Sequence, residues 1–524
     1  MRTPTRFLLA PLLTAGLAAC LALPVAADGA WPFGNAAGSG PFQRGQDLYG
    51  LGVLGAKASG ADDAGPAPSE DMGGGKRRVA GQGRPANDDG PTRLTVAVLF
   101  PGGPADAAGL QVGDVIVGVG RSVFKAGARD LLAAALVKAE SGKAKGKLTL
   151  LVERDGDREK IEVQIPVAGK DAAKPTRGPA RDRVFEAALA WLAERQESNG
   201  GFAQTLSGAN GSVVMTSLAG LAWLAGGSDL EQGPYQDNVV RAATFVSEYA
   251  GESFGMPGGG QGGGGRASRM QGMDQSNWGW SHAAIFLGEL EARSPSPKIR
   301  AALLRCGETL VKQQERTGGW AHGPGGPNPL GYTELNIVTG LALCGLGMAQ
   351  RAGYEIPGTA LEKADSYLKA SSGGDGGVGY STSPGQRGQG NIGRTAGCWL
   401  GYRLLGRGRS DWCRKMGKWT DREIDDVLGG HASLMQHVLL SGVAAHALGG
   451  KAQKRWWDTL ETDYVLARAP DGSLQPRPWH ESLQMGSNSD VTFGEVWTTA
   501  AWAVVLGCEP VKGGRPGLPV WLGT

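Results

Sequence analysis

Cysteine is scarce in this 524-residue chain and poorly arranged for cross-linking. There are 6, and Cys20 lies in an apolar N-terminal run. The others, Cys306, Cys344, Cys398, Cys413 and Cys508, are odd in number and contain no Cys-x-x-Cys pair. That excludes a disulfide framework and a thiolate metal site, and leaves apolar buried thiols. Charge of one sign is also lacking. The net charge is only +3 and no basic stripe is sustained, which argues against nucleic acid as a partner. After the first thirty residues there is no unbroken apolar run of the roughly 18 residues a transmembrane helix needs, so no transmembrane span is expected. No cofactor and no metal are expected either.

Glycine, by contrast, is abundant at 88 residues, against a usual share of about 7%. It falls in a few dense loops and so marks turns and linkers. Length and a hydrophobic content of 41% fit two or three domains with sizeable cores. The chain opens with Arg2 and Arg6, an apolar run from Phe7 to Leu23, and the small residues Val25-Ala26-Ala27. This is the pattern of a cleaved secretory signal, so an exported, periplasmic or extracellular protein is expected. A lipoprotein box at Leu17–Cys20 is the rival reading, and the run that stays apolar past Cys20 argues against it.

The segment 94–120, "LTVAVLFPGGPADAAGLQVGDVIVGVG", reads as strand, turn, one helical turn opened by Pro104, a second turn at Gly113-Asp114, and a second strand. A helix "ARDLLAAALVKAE" follows at 128–140, then two strands joined by Asp155-Gly156. Order and spacing resemble a PDZ domain, with "GGPADAAGLQVGDVI" as the specific signature. Upstream, Gly50-Leu51-Gly52-Val53 resembles the family's carboxylate-binding loop, with Val53 where Phe is usual. Residues 56–92 read as a disordered insertion. The resemblance implies that a peptide or protein C-terminus adds as a strand after Gly52 and that loop N–H groups hold its carboxylate. It places Arg129 opposite an acidic side chain two residues from the peptide's end. Ala133 and Leu136, facing Leu51 and Val53, would form a pocket for a small aliphatic terminus. The bland alternative is a PDZ fold kept as a spacer or intramolecular dock.

Beyond the polar linker 168–180, twelve helical patterns alternate between amphipathic, charged ones and ones apolar all round, such as "VTGLALCGLGMA". The first kind wants water on one side and the second wants enclosure, so six pairs fit an outer ring around an inner ring. Glycine clusters recur about every 59 residues, one hairpin each. Thr216, Thr339, Thr395 and Thr498 recur in the apolar helices. Gln196, Gly200 and Phe202 share a spacing with Gln314, Gly318 and Trp320. Read as masonry, Gly stops an outer helix and the ring folds back on the next hairpin. The motif resembles repeats of the squalene cyclase and prenyltransferase superfamily. The expected fold is thus multidomain: a small mixed α+β PDZ-like domain, then an all-α (α/α)6 toroid. The boundaries are signal peptide 1–27, lead-in 28–44, PDZ-like domain 45–167, toroid 181–510 and tail 511–524. Together the halves resemble secreted bacterial proteins that pair these two modules, and the two domains are expected to fold independently.

No complete catalytic motif is present. Glu423, Asp425 and Asp426 in "EIDD" resemble the acid of class II terpene cyclases, but Glu423 replaces the first Asp and the flank is charged. "RCGETL" lacks the Gln of a thioester sequence. Asp490, Cys398 and His437 have no zinc-ligand spacing. Polar and aromatic residues do gather where the inner helices begin. Trp278, Trp280, Asn336 and Trp497 suit a ligand cavity open to an anion or a glycan. His282, Glu334, His431, His437 and Glu495 are weak acid–base candidates, which equally could cap helices. The leading expectation is an exported cell-envelope binding or scaffold protein. The alternative is a toroid enzyme acting on a polysaccharide as lyase or hydrolase, with a terpene cyclase behind it.

Overall fold

The computed structural model describes residues 48–60, 91–203, 209–251, 274–325, 333–429, 433–477 and 489–523. The signal sequence, Cys20, the lead-in, most of the insertion, the Gly258–Gly265 cluster and His431 lie outside the described residues.

The first half is an antiparallel sheet. Its strands are β1 (Tyr49–Gly50), β2 (Ala56–Gly60), β3 (Leu94–Leu99), β4 (Val115–Val119), β5 (Ser122–Val123), β6 (Lys147–Arg154) and β7 (Asp157–Gln164). They run in the order β1-β2-β3-β4-β6-β7, with β5 on β4. Strand β3 alternates buried and half-buried residues, as a strand with one core face must. Asp155 and Gly156 both take positive φ, 53° and 92°, the geometry of a tight two-residue hairpin. Helices α1 (Pro104–Ala107) and α2 (Ala128–Glu140) complete the unit. The expected insertion is corrected at its start. Ala56–Gly60 is β2, paired with Leu94–Leu99 with a register shift between Lys57 and Ala58, because Ala56 and Ala58 fill core positions that alternate with Lys57 and Ser59.

Thirteen further α-helices follow among the described residues, twelve of them in two rings. Six are apolar and inner: α4 (Ala209–Ala225), α6 (Ser276–Arg293), α8 (Asn336–Arg351), α10 (Ile392–Leu404), α12 (Leu434–Leu448) and α14 (Ser489–Gly507). Each packs on the next, and α14 packs back on α4, so the ring closes. The outer six are α3 (Gly178–Arg195), α5 (Gln236–Gly251), α7 (Pro297–Lys312), α9 (Gly358–Ser371), α11 (Asp411–Arg422) and α13 (Gly450–Ala467). The sequence resolved this alternation because enclosure of a helix on all sides permits no charged face.

The repeated motif is masonry in atomic detail. The Gln196 amide donates to Gly200 O at 2.9 Å and Asn238 O at 3.0 Å, and Gln314 donates to Gly318 O and Ala360 O, both at 2.9 Å. Each glutamine therefore ties the end of one outer helix to the start of the next. Gly200, Gly318, Gly376 and Gly472 all adopt positive φ, between 88° and 108°. Two members, at 372–378 and 468–474, lack the glutamine and escape a motif search. Threonines of the inner helices close the unit: Trp320 N, Val378 N and Leu474 N donate to Thr339, Thr395 and Thr499 at 3.1, 3.0 and 2.9 Å. Thr499, not Thr498, is the one used in α14. The Thr498 hydroxyl bonds Gly494 O in its own helix.

The C-terminal segment, expected as a tail, plugs one end of the ring. Helix α15 (Pro519–Leu522) packs on α6, α10 and α12. Trp521 is wholly buried and its backbone N–H donates to Glu289 Oε1 at 2.6 Å. Burial of Glu289 holds its carboxyl up at about 7, despite the opposing N–H of Trp521 and charge of Arg293.

Few contacts were expected across the linker, and the structure corrects this. The linker carries a 3-10 turn, Lys170–Ala173, and Ala168 and Gly169 both donate to Glu140 O. Helix α2 and β1 pack on α13. The two cores are continuous because the apolar residues Leu51, Leu54 and Leu136 are completed by the toroid.

Candidate functional site

The start of α6 is the most chemically furnished part of the toroid mouth. Asn277 fixes it: its amide donates to Ala321 O at 2.9 Å and its N–H to His322 O at 3.0 Å. This docks α6 onto the segment after the Gln-x3-Gly-x-Trp motif and brings His322 beside Trp278. The Trp278 indole N–H donates to Nδ1 of His322 at 2.9 Å. An indole only donates, so Nδ1 of His322 is bare and its proton sits on Nε2. His282, one turn along α6, meets Trp278 O through its own Nδ1 at 2.9 Å. A carbonyl only accepts, so His282 carries its proton on Nδ1 and presents a bare Nε2. That nitrogen is buried without a partner. Burial lowers both imidazoles to about 4, so both are neutral near pH 7. Both rings lie near the Trp278 ring, with centroids 6.5 and 5.8 Å away.

Trp280 is half-buried and tilts against Tyr249 at 4.7 Å, whose hydroxyl donates to Asn210 at 2.6 Å. Trp278, Trp280 and His282 are therefore brought together on α6, with His322 and Tyr249 added. Sequence reasoning missed His322. Its one signal was position, two residues after the motif's Trp320.

The remaining expected residues are tied into hairpin ends. Asn336 is fully buried and donates to Ser371 and Gly379 O at 2.9 and 3.0 Å. Trp497 is buried and donates to Asp490 at 2.9 Å. Asp490 also takes the Ser433 hydroxyl and Met435 N–H, which locks α14 to α12. These two side chains are struts rather than open cavity walls. His437 is buried on Gly393, where a Cβ would come within 2.3 Å of its Nδ1. Glu334 is buried, and burial first, then the charge of Glu315, raises its pKa. Glu495 faces the other domain: Lys57 of β2 stands 3.8 Å away, and Arg195 and Asp471 act on the same carboxyl. Within "EIDD", Asp425 is exposed and reaches toward Arg455, whereas Asp426 is half-buried, and burial first, then the charges of Glu423 and Asp425, lifts its carboxyl to about 6. Among the described residues no group of three or more His, Cys, Asp or Glu is placed to hold a metal ion, and no helix is long and apolar enough to cross a membrane.

The PDZ-like recognition face is covered. Strand β1 occupies the outer edge of β2, pairing Tyr49 with Ala58 and Gly50 with Lys57. Beside the loop Gly50–Val53 lies the end of α13. A Cβ added at Gly50 would stand 2.6 Å from Leu466 O, and one at Gly52 3.0 Å from Val465 O. Arg129 is paired with Asp463 at 2.5 Å and its guanidinium lies over Tyr49. Leu51, Ala133 and Leu136 are buried in the shared core, and Val53 packs half-buried against it.

A model of the family DUF6288, described as a domain of unknown function, matches residues 181–507, more than half of the chain. The chain belongs to this family. A PDZ domain model matches residues 70–153, a range that leaves out Gly50–Val53. No curated protein matches. Among solved structures, the type II terpene cyclase MstE from Scytonema in its apo form is 12% identical, with a TM-score of 0.36 over 62% of this chain and 97% of that one. A UGL variant with dGlcA-Glc-Rha-Glc is 13% identical, with a TM-score of 0.39 over 62% of this chain and 95% of that one. The closed ring of inner helices makes the DUF6288 region an all-helical toroid, joined to a PDZ-like sheet domain.

Proposed function

We propose that this DUF6288 protein is an exported binding protein of the cell envelope, with its ligand site at the start of α6 and an uncharged polyhydroxylated ligand such as a glycan. The observation that carries the reading is the pairing of half-buried Trp278 and Trp280 with two neutral imidazoles. Indole faces stack on sugar rings. Imidazoles held neutral supply hydrogen bonds without drawing anions to the site. The N-terminal signal pattern supports export. The PDZ-like domain serves this reading as an intramolecular dock rather than as the receptor of a free peptide C-terminus.

The test is titration calorimetry of the full chain against a panel of envelope glycans, with Trp278→Ala/Trp280→Ala as the comparison. Binding by the wild type, lost in a double variant that keeps its helix content, is the expected outcome. Binding that survives the double substitution ends the reading.

A second reading, polysaccharide lyase or hydrolase, has its own support. His282 offers a bare Nε2 as a base and His322 an Nε2–H as an acid, the complementary pair that general acid–base chemistry needs. Release of new reducing ends from a bound glycan, abolished by His282→Gln while binding persists, would favour it over simple binding.

A further inference from the structure

The PDZ resemblance predicts what its face should hold: a carboxylate against the Gly50–Val53 loop, an acidic side chain against Arg129, and an aliphatic group over Leu136. All three chemistries are supplied from within the chain. The loop faces the carbonyl oxygens of Val465 and Leu466, at the end of α13. A helix C-terminus carries unpaired carbonyls and a partial negative charge, the backbone counterpart of a terminal carboxylate. Arg129 holds Asp463, a few residues before that end. A Cβ added at Gly52 would meet both Val465 O, at 3.0 Å, and Leu136 Cδ1, at 3.1 Å, and Val465, Leu466 and Leu136 are buried in the same cluster. We infer that the recognition face of the PDZ-like domain takes the C-terminal end of α13 as its ligand in cis, so that the domain is a fixed brace on the toroid.

Further bonds surround this contact. Arg468, just past the helix end, pairs with Glu140 at the end of α2 at 2.8 Å, with both side chains nearly out of solvent. The Thr462 hydroxyl donates to Asp130 at 2.5 Å. Gly55 meets Pro470, where a Cβ would come within 2.9 Å of Cγ, and Ala469 packs with Val98 of β3. Strand addition, the other half of the family's binding mode, is pre-empted by β1 on β2. On the toroid side, Lys57 of β2 reaches Glu495, next to Gly494, whose φ of 78° and ψ of −156° break α14. The brace therefore bears on the start of an inner helix. The glycines suit the docking. At Gly50 a side chain would collide with the helix-end carbonyl, and Gly52 has a φ of 66° that other residues rarely adopt.

Two measurements on the full chain test this. The first needs no variant: hydrogen exchange across a urea series. Amides of β3, β6 and the Gly52–Ala56 loop should lose protection in the same transition as those of α13. Loss of the PDZ amides in an earlier, separate transition overturns the inference. The second is a double-mutant cycle, because Asp463 pairs with Arg477 at 2.9 Å as well as with Arg129. Arg129→Met and Asp463→Asn should each lower the melting temperature by several degrees, and the double variant should lose clearly less than the sum of the two. No loss in Arg129→Met, or strictly additive losses, overturns it. A labelled peptide ending in Glu-Ala-Val, with its C-terminal amide as control, completes the second test. Carboxylate-dependent binding by the wild-type chain that Arg129→Asp removes would show the face open in trans, and overturns the inference as well.

Discussion

Glu140 of the PDZ-like domain and Arg468 of the toroid meet at 2.8 Å, with side chains 6% and 10% exposed. The pair sits where the ends of α2 and α13 converge. Removing one partner strands a charge in low dielectric. Arg468→Ala should therefore lower stability by about 3–5 kcal/mol, measured by urea unfolding. Replacing both with apolar residues of similar volume should cost far less, because no charge is left unpaired. Equal losses in the single and double variants would show that the pair is exposed in solution.

His282 sets an acid limit on the fold. Its folded pKa is about 4, lowered from 6.5 by burial against the smaller opposing effect of its bond to Trp278 O. The folded state thus favours the neutral ring, while the unfolded chain takes up a proton below its ordinary value. Stability should be full above about pH 6.5 and fall as pH drops toward 4, by roughly 3 kcal/mol for this residue. Carboxylates titrate in the same window, so the readout is a difference: His282→Phe should be less acid-sensitive than the wild type between pH 6.5 and 4. Parallel stability curves would count against a buried neutral imidazole.

The fold was legible because its signals are periodic. The run "VTGLALCGLGMA" reads as an enclosed helix from its unbroken small apolar residues, and it lies within α8. Gln196 and Gln314 announced a repeat, and their bonds show why: one amide satisfies carbonyls of two hairpins. The site was less legible because burial is not written in residue type. Trp278 and Trp497 look alike in sequence, yet only Trp497 has its N–H spent on a buried carboxylate. The segment "GLPVWLGT" is too short for periodicity, so the plug carrying Trp521 read as a tail. The domain junction was hidden for a similar reason. The PDZ resemblance set Arg129 against an acidic residue of a peptide, and nothing local to the PDZ segment says that Asp463, far along the chain, stands beside it.

Glycine at the motif turn is required by geometry rather than flexibility. A Cβ at Gly318 would lie 2.2 Å from Lys363 O, and its φ is 108°. Gly318→Ala adds a backbone collision to left-handed strain and should cost upwards of about 3 kcal/mol. Gly325 also has positive φ, 78°, but nothing lies within 4 Å of its Cβ position. Gly325→Ala should cost only about 1–2 kcal/mol. The two melting curves separate strain from collision, and similar losses would remove the structural role given to the motif.

The described cysteines should be silent in the native state. Cys306, Cys344, Cys398, Cys413 and Cys508 are free and buried. Burial raises Cys306 and Cys344 to about 12, and the thiolate is the reactive form. Iodoacetamide at pH 8 should label none of them before unfolding and all of them in denaturant, read by peptide mass. Rapid native labelling of any of the five would show that its helix opens on the timescale of the reaction.

Opposite tautomers on the two sides of Trp278 are the sharpest chemical consequence of the α6 geometry. The indole N–H forces Nδ1 of His322 to accept, and the backbone carbonyl of residue 278 forces Nδ1 of His282 to donate. Nitrogen chemical shifts of labelled imidazoles at pH 7 should therefore show His322 protonated on Nε2 and His282 on Nδ1. Trp278→Phe keeps the carbonyl and removes the indole donor. His282 should keep its tautomer in that variant, while His322 loses the bond that fixes its own and shifts toward a mixture. Its pKa should then rise from about 4 toward 6.5 only if the smaller ring also admits water, since burial is the cause of the lowering. A change at His282 with none at His322 would reverse the assignment of base and acid, and with it the catalytic reading of the mouth.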